Sequence, residues 1–213
     1  TMTLKIRHDG NVVIYAPHST SNREIERFLY EKKKWISTKL AEKKAYDEFK
    51  DRRHTLSEGD TFLYLGRLYP ISIHDHDGNY PPLQLLFGNF LLRRDRMSDA
   101  RALFIKWYKE RAEEEITKRV IFYSRKLKLY PRAVRITNAR TRYGSCSSNN
   151  RLSFSWRIIM APYPVIDYVI IHELIHIREK NHSKRFWKAI TDILPDCRER
   201  RAWLKEKGPF LFI

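Results

Sequence analysis

The stretch IIHELIHIREKNHSKRFW, residues 170–187, places three histidines and two glutamates within eleven positions of an otherwise apolar and basic run. His172 and His176 are four residues apart, which puts both imidazoles on one face of a helix, where they can bind one cation. Glu173 lies beside them and can accept a proton from a metal-bound water without being a ligand. Zinc suits this chemistry, because it accepts imidazole nitrogen and lowers the pKa of bound water to roughly 7. The spacing predicts a zinc site, with another divalent metal (manganese, nickel or iron) as an alternative occupant.

A catalytic zinc ion needs a third protein ligand, and His182 is the candidate, six residues beyond His176. On a continuous helix, His182 would lie about 240° around the axis from His176 and about 9 Å further along it, too far to share the ion. We therefore expect the helix to end between them and the chain to turn back, with Asn181 in a left-handed conformation making that turn. The side chain of Glu179 is the alternative third ligand.

The helix that contains the HELIH motif is predicted to be buried. Apolar residues lie on most of its sides in the run VIDYVIIHELIHI. Buried imidazoles and a buried carboxylate need polar partners, and a metal ion supplies them together. The alternative is a pair of histidines without a metal, in the core or on the surface, and it leaves those partners unexplained.

The N-terminal half predicts a mixture of strands and helices. A hairpin is expected over residues 3–16, with its turn at a DG pair, and Ser21-Asn22 can cap the long helix that follows. Short strands are expected between residues 55 and 92, punctuated by glycines. A second long helix is expected from about Ser98 to Leu129, with Ser98 as its cap.

The C-terminal half predicts two strands and three helices. The strands cover residues 133–137 and 151–159 and flank the polar loop NARTRYGSCSSNN. The helix with the HELIH motif comes next, and a further helix is expected to begin near His182 or Ser183 and to run to Leu194. A last short helix ends near Gly208.

Positive charge is in excess along the chain, with a formal net charge of +17. Such a surplus favours anionic partners, among them nucleic acid, nucleotides and acidic proteins. Six arginines and no acidic residue lie between residues 132 and 157. Like charges gathered without counter-charges cost stability unless an anion offsets them, so this stretch is a candidate site for phosphate groups. Elsewhere both signs are mixed, which is typical of solvated helix faces.

The chain is expected to be cytoplasmic and to have no membrane partner. It has no uncharged apolar run of about 18 residues, and its first residues lack the apolar core of a signal peptide. Only two cysteines are present, Cys146 and Cys197, which excludes a disulfide framework and favours a reducing compartment. Cys146 is expected to be a packed thiol rather than a nucleophile or a ligand, and the sequence sets no oligomeric state.

Several motifs follow one another along the C-terminal half: RYGSCS, then a strand ending in WR, then AP, HELIH and NHSKRFW. The N-terminal hairpin has the sequence IRHDGNVVIYAP. This set resembles the signature of the YgjP-like metal-dependent hydrolase family, which is related to the SprT-like and WLM zincins. The resemblance covers nearly the whole chain. It implies that His172, His176 and His182 match the metal ligands of the family and that Glu173 matches its general base.

The predicted fold class is α+β. Residues 1–97 are expected to form an N-terminal β-rich region with one helix, and residues 98–213 a zincin-like metallohydrolase core that contains the HExxH helix. With 42% hydrophobic and 13% aromatic residues, the chain can bury a core of ordinary size.

We expect a zinc-dependent, metallopeptidase-like hydrolase, in which a peptide adds as an extra strand beside residues 151–159, the predicted edge above the zinc. An alternative substrate is a nucleoside triphosphate, cleaved at the same metal while nearby arginines hold the polyphosphate. A third interpretation is a nucleic-acid-associated binding protein whose metal is structural. Arg142 and Tyr143 are candidates for stabilising a developing oxyanion, and Arg140 and Arg157 are candidates for further substrate contacts.

Overall fold

The structure, a computed structural model, describes residues 2–7, 11–51, 56–75 and 80–211, and for residues 42–51 it describes the backbone alone. The chain divides into two units, residues 1–55 and residues 56–213. Residue 97, the end of the first predicted domain, therefore falls inside the second unit. Strands and helices occur in both units, which confirms the α+β class.

The first unit consists of a hairpin and a long helix. Strand β1 (Thr3–Ile6) pairs antiparallel with β2 (Val12–Tyr15), and the DG turn between them lies outside the described residues. Helix α1 (Asn22–Asp51) follows. The amide of Ser21 donates to the carboxylate of Glu24 at 2.8 Å, and the amide of Glu24 donates to Ser21 Oγ at 3.3 Å. This reciprocal pair is a capping box, and it confirms the predicted start of the helix.

The second unit begins with the four short strands expected from the sequence. They are β3 (Thr61–Tyr64), β4 (Arg67–His74), β5 (Leu83–Leu86) and β6 (Asn89–Arg93). The sheet has the order β3-β4-β6-β5, with β4 parallel to β6 and the other pairs antiparallel. One face of this sheet packs on the next helix, where the ring of Phe62 stacks on that of Phe104 with centroids 3.9 Å apart.

Helix α2 (Ala100–Leu127) forms the centre of the core. It begins slightly later than predicted, because Ser98 belongs to a 3-10 helix, Arg94–Asp99, and Asp99 is the N-cap. Its buried residues recur every four positions and are Ala100, Phe104, Tyr108, Ala112, Ile116, Val120 and Ser124. This stripe lies between the first sheet and the elements that form the candidate site.

A second sheet has three strands in the order β7-β9-β8. They are β7 (Ala133–Thr137), β8 (Gly144–Cys146) and β9 (Arg151–Ser155), with β9 parallel to β7 and antiparallel to β8. The prediction that residues 151–159 form an edge strand is wrong. Strand β9 is central, β7 is one edge strand, and β8, which lies in the predicted loop, is the other.

Strand β9 is also shorter than predicted, because Trp156–Met160 form a 3-10 helix. Four of these five residues are buried (Trp156, Ile158, Ile159 and Met160), so the buried positions no longer alternate as they do in a strand with one exposed face. The apolar run continues into the core against α2.

The last part of the second unit contains α3 (Tyr163–Ile175), α4 (Lys184–Ile193) and α5 (Cys197–Lys207), followed by a 3-10 helix at Gly208–Phe210. Ten of the 13 residues of α3 are buried, as the sequence predicts, and this helix packs against α2, α4, α5 and β8. Among the described helices, none combines the length and apolarity needed to cross a membrane.

The turn between β3 and β4 is fixed to the segment that precedes α3. The amides of Leu65 and Gly66 donate to the carbonyl oxygens of Ile159 at 2.9 Å and Met160 at 3.0 Å. Gly66 has a φ of 80°, and a Cβ added there would lie 2.7 Å from Cβ of Pro162. Only glycine can both adopt this left-handed conformation without strain and leave room for Pro162.

We expect Gly66→Ala to lower the free energy of unfolding by more than the roughly 1–2 kcal/mol that a left-handed backbone costs, because the clash with Pro162 adds to that strain. Gly59→Ala is the matched control, since Gly59 has a φ of 81° and no heavy atom within 4 Å of an added Cβ. Urea unfolding of the two variants measures the difference, and equal losses would contradict a role for the contact.

Candidate metal centre

Three histidines converge in the second unit. His172 and His176 lie at the end of α3, and Nε2 of His182 is 3.0 Å from Nε2 of His172. The possible ligand atoms of all three lie within 4.8 Å of one another. Two nitrogens bound to one tetrahedral zinc at about 2.05 Å would be about 3.3 Å apart. The spacing of the imidazoles therefore fits a single ion.

The chain reverses direction directly after α3. The helix ends at Ile175 with His176 as its C-cap, and the amide of Arg178 donates to the carbonyl of Ile175 at 3.0 Å. The expected end of the helix before His182 is confirmed. The expected left-handed Asn181 is wrong, since its φ is not positive. Hydrogen bonds between residues three apart (Ile177 to Leu174 and Arg178 to Ile175) tighten the end of the helix, and none of residues 176–183 has a positive φ.

The ring of His176 is oriented by the main chain of the same turn. Its Nδ1 lies 2.8 Å from the carbonyl oxygen of Glu179, so Nδ1 is the donor and Nε2 keeps its lone pair for a cation. The carboxylate of Glu179 is not part of the cluster of metal-binding side chains found in the described residues. Glu179 thus contacts the site through its backbone.

The position of His182 is set by the start of α4. Ser183 is the N-cap, and its Oγ accepts a hydrogen bond from the amide of Phe186 at 3.3 Å. His182 precedes the cap, and Trp187 lies four residues after it, which are the two positions of a hydrophobic staple. The rings of His182 and Trp187 stack with centroids 5.7 Å apart and an interplanar angle of 26°. The third imidazole is thus held by a different helix from the first two.

Phe186 packs against all three imidazoles. Its ring centroid lies 4.9 Å from that of His172, 4.5 Å from that of His176 and 4.8 Å from that of His182. The side chain is fully buried. Nδ1 of His172 is buried and has no hydrogen-bond partner among the described residues. Packing by Phe186 therefore helps to orient an imidazole whose Nδ1 has no polar partner.

The surroundings of His172 and His182 favour the uncharged form of these two imidazoles. Burial, with smaller contributions from His176, His182 and Arg201, lowers the pKa of His172 to about 3. Burial also lowers the pKa of His182, with contributions from His176 and Arg201. A neutral imidazole has the lone pair that a metal ion requires. The donor set therefore fits a divalent cation that binds nitrogen ligands.

The carboxylate of Glu173 is buried beside the triad, with 6% of the residue exposed. Burial raises the pKa of Glu173 to about 7, and the charge of Arg142 acts in the opposite direction. A Cβ added to Gly144 would lie 2.6 Å from both Cγ and Oε1 of Glu173. The missing side chain of Gly144 thus leaves the space that this carboxylate occupies.

Strand β8 presents main-chain groups at its outer edge. Its pairing with β9 is extended by hydrogen bonds from the Ser155 amide to the Tyr143 carbonyl at 2.8 Å and from the Ser147 amide to the Arg151 carbonyl at 2.9 Å. Bonded pairs alternate along an antiparallel ladder, so the N–H and C=O groups of Gly144 and Cys146 point away from β9.

Cys146 lies near Glu173 and Lys180, whose charges act on the thiol, but its pKa is raised mainly by burial.

Two of the predicted substrate contacts have partners within the protein. A Cβ added to Gly208 would lie 2.5 Å from the hydroxyl oxygen of Tyr143, so this hydroxyl packs against the end of α5. Burial raises the pKa of Tyr143 to about 12. Arg157 donates from Nη1 to Oδ1 of Asn138 at 3.0 Å and thereby fixes the loop after β7.

The other two predicted contacts, Arg140 and Arg142, are exposed on the loop between β7 and β8. Of the four residues, Arg142 is the one whose charge acts on Glu173. Sequence analysis missed Arg201 of α5, whose charge lowers the pKa of His172 and His182. It also missed strand β8.

Comparison with known proteins agrees with this site. No curated protein and no solved structure matches the chain. A family model described as "YgjP-like, metallopeptidase domain" matches residues 1–207, and such a domain implies a metal cofactor. The chain therefore belongs to the YgjP-like metallopeptidase domain family.

Proposed function

We propose that the chain is a zinc-dependent, metallopeptidase-like hydrolase in which His172, His176 and His182 hold the metal and Glu173 is the general base. The observation that supports this most is the convergence of three imidazoles beside a buried carboxylate. Structural zinc sites have four protein ligands, whereas catalytic sites have three and an open position. The cluster in the described residues has three. It therefore favours a catalytic metal over the structural metal of a nucleic-acid-binding protein.

The roles of the protein groups follow from their placement. When bound, zinc polarises the scissile carbonyl and lowers the pKa of water to roughly 7. Glu173 accepts a proton from the attacking water and donates it to the leaving amine. Gly144 leaves room for this carboxylate. Arg142, whose charge acts on Glu173, would stabilise negative charge that develops on the substrate.

A peptide substrate would bind as an added strand on β8 rather than on β9. The main-chain groups of Gly144 and Cys146 point away from β9 and are available for such pairing. Because Gly144 contacts Glu173, a peptide on this edge would pass beside the general base. Pairing with this edge strand would thus set the direction of the bound peptide and align it with the carboxylate of Glu173.

A nucleoside triphosphate is the second candidate substrate. Arg142 and Arg201, whose charges act on the site from the loop before β8 and from α5, favour an anionic substrate. The arginine pocket expected from the sequence is less complete than predicted, because Arg157 binds the loop at Asn138. The edge of β8 that pairs with no described strand favours the peptide.

Hydrolysis assays separate the two candidates. The purified protein is incubated with casein-derived peptides and with a panel of nucleoside triphosphates, each with and without a chelator. We expect peptide cleavage that the chelator abolishes and added Zn²⁺ restores. Phosphate release without peptide cleavage would identify the nucleotide, not the peptide, as the substrate. The absence of chelator-sensitive turnover of either substrate would contradict the proposal.

Gly144→Ala is expected to reduce peptide turnover about 10- to 100-fold, since a displacement of about 1 Å in a catalytic group costs that much. The added methyl group would lie 2.6 Å from Cγ of Glu173, and the carboxylate, as the flexible partner, moves away. The melting temperature should change little. Ser145→Ala, on the same strand but with its side chain on the opposite face, is the control and should keep its activity.

A further inference from the structure

Arg201 lies at the rim of the histidine cluster. Its guanidinium carbon is 5.0 Å from the ring centroid of Trp187. That ring in turn stacks on His182 and lies 6.2 Å, centroid to centroid, from His172. The charge of Arg201 lowers the pKa of both histidines. An aromatic platform therefore holds this cation next to the candidate metal ligands.

Arg201 differs from its neighbour on α5 in its partners. Arg200 donates from Nε to the carboxylate of Asp196 at 2.9 Å and from Nη1 to the carbonyl of Pro164 at 2.9 Å. Arg201 is exposed and makes no hydrogen bond or ion pair with any residue that the structure describes. Its contact with Trp187 uses the face of the guanidinium and leaves the N–H edges available.

The placement of Arg201 has an electrostatic cost. A fixed positive charge beside His172 and His182 opposes the binding of a cation by the same imidazoles. Arg142 adds a second positive charge next to Glu173. An anionic group bound by Arg201 would offset this repulsion. The two arginines belong to different elements, the loop before β8 and α5, and act on different residues of the site.

We propose that Arg201 is a specificity-determining residue that binds an anionic group of the substrate, a carboxylate or a phosphate. This inference rests on the proposed hydrolytic function. The planar guanidinium has N–H groups in a geometry that matches both oxyanions in a two-point contact. Trp187 holds the guanidinium in place, so little conformational freedom is lost on binding. Substrates with a negative charge beside the scissile bond are therefore preferred over neutral ones.

Turnover of matched peptides tests this preference. Peptides that differ only in Glu, Gln or Lys beside the cleaved bond are compared by kcat/KM in the wild type, Arg201→Met and Arg198→Met. Arg198 is an exposed arginine on the same helix and serves as the control. We expect a preference for Glu over Gln of about tenfold, lost in Arg201→Met and kept in Arg198→Met. An unchanged preference in Arg201→Met, or equal losses on the Gln and Glu peptides, overturns the proposal.

Calorimetric binding to metal-free protein tests the contact without turnover, with inorganic pyrophosphate as the phosphate probe and glutarate as the carboxylate probe. We expect Arg201→Met to weaken one of them about tenfold relative to Arg198→Met, and the probe affected identifies the anion. Equal affinities of the two variants for both probes overturn the proposal. This result does not depend on Glu173, so a failure of the hydrolytic function would be recognised separately by the peptide and nucleotide assays.

Discussion

Glu173→Gln is expected to reduce peptide hydrolysis by about 100- to 10,000-fold, the usual contribution of a general base. Glutamine keeps the size of the side chain beside Gly144 but cannot accept the proton of the attacking water. The three histidines are unchanged, so the metal content of the variant should equal that of the wild type. Measurement of kcat/KM and of bound metal on the same protein sample checks both parts.

Glu113→Gln is the matched control for this substitution, because Glu113 is an exposed glutamate on α2. It should leave turnover unchanged. Full activity in a Glu173→Gln variant that still holds its metal would remove the general base from the proposed mechanism. Loss of the metal together with the activity would instead assign Glu173 to the metal site.

Phe186→Ala is expected to lower the free energy of unfolding by about 3–5 kcal/mol, the usual cost of truncating a buried phenylalanine. It should also weaken metal binding, because the ring lies within 5 Å, centroid to centroid, of all three imidazoles. His172 has no hydrogen bond at Nδ1 that could hold its ring in place of this packing. Urea unfolding of the metal-free protein and competition with a metal-binding dye measure the two effects.

Two further variants separate packing from metal binding. Phe186→Leu restores most of the lost volume, so it should recover much of the stability while the imidazoles stay less well ordered than with the ring. Phe122→Ala removes the same atoms from a side chain that is 58% exposed on α2, and it should change neither quantity much. Wild-type metal affinity in Phe186→Ala would show that the imidazoles do not depend on this packing.

The core of the candidate site could be predicted from the sequence because helix geometry constrains it strongly. Positions four apart share a helix face, which brings His172 and His176 together. The same geometry excludes His182 unless the chain reverses, and the structure shows that reversal. The prediction that Asn181 is left-handed is wrong, because several tight turns can follow a helix and only some of them need a left-handed residue.

The remaining features depend on tertiary contacts that have no local signal. Strand β8 is three residues of small side chains, Gly144–Cys146, and it is a strand because β9 pairs with it. Its neighbours in the sequence, SSNN, indicate a turn rather than a strand. Arg201 is 19 residues beyond His182, and nothing in the run RERRAWLKEK distinguishes it from the other arginines. Only the packing of α5 against α3 places it at the site.

The division of the three imidazoles between two helices has a consequence for the local dynamics. An ion bound by α3 and by the residue that precedes the cap of α4 would act as a cross-link between the two helices. Local opening of α4 would then require loss of one ligand, so its free energy would rise with metal occupancy. The backbone amides of α4 should therefore exchange their hydrogens with solvent more slowly in the loaded protein than in the chelated one, whereas those of α1, in the other unit, should exchange at the same rate in both.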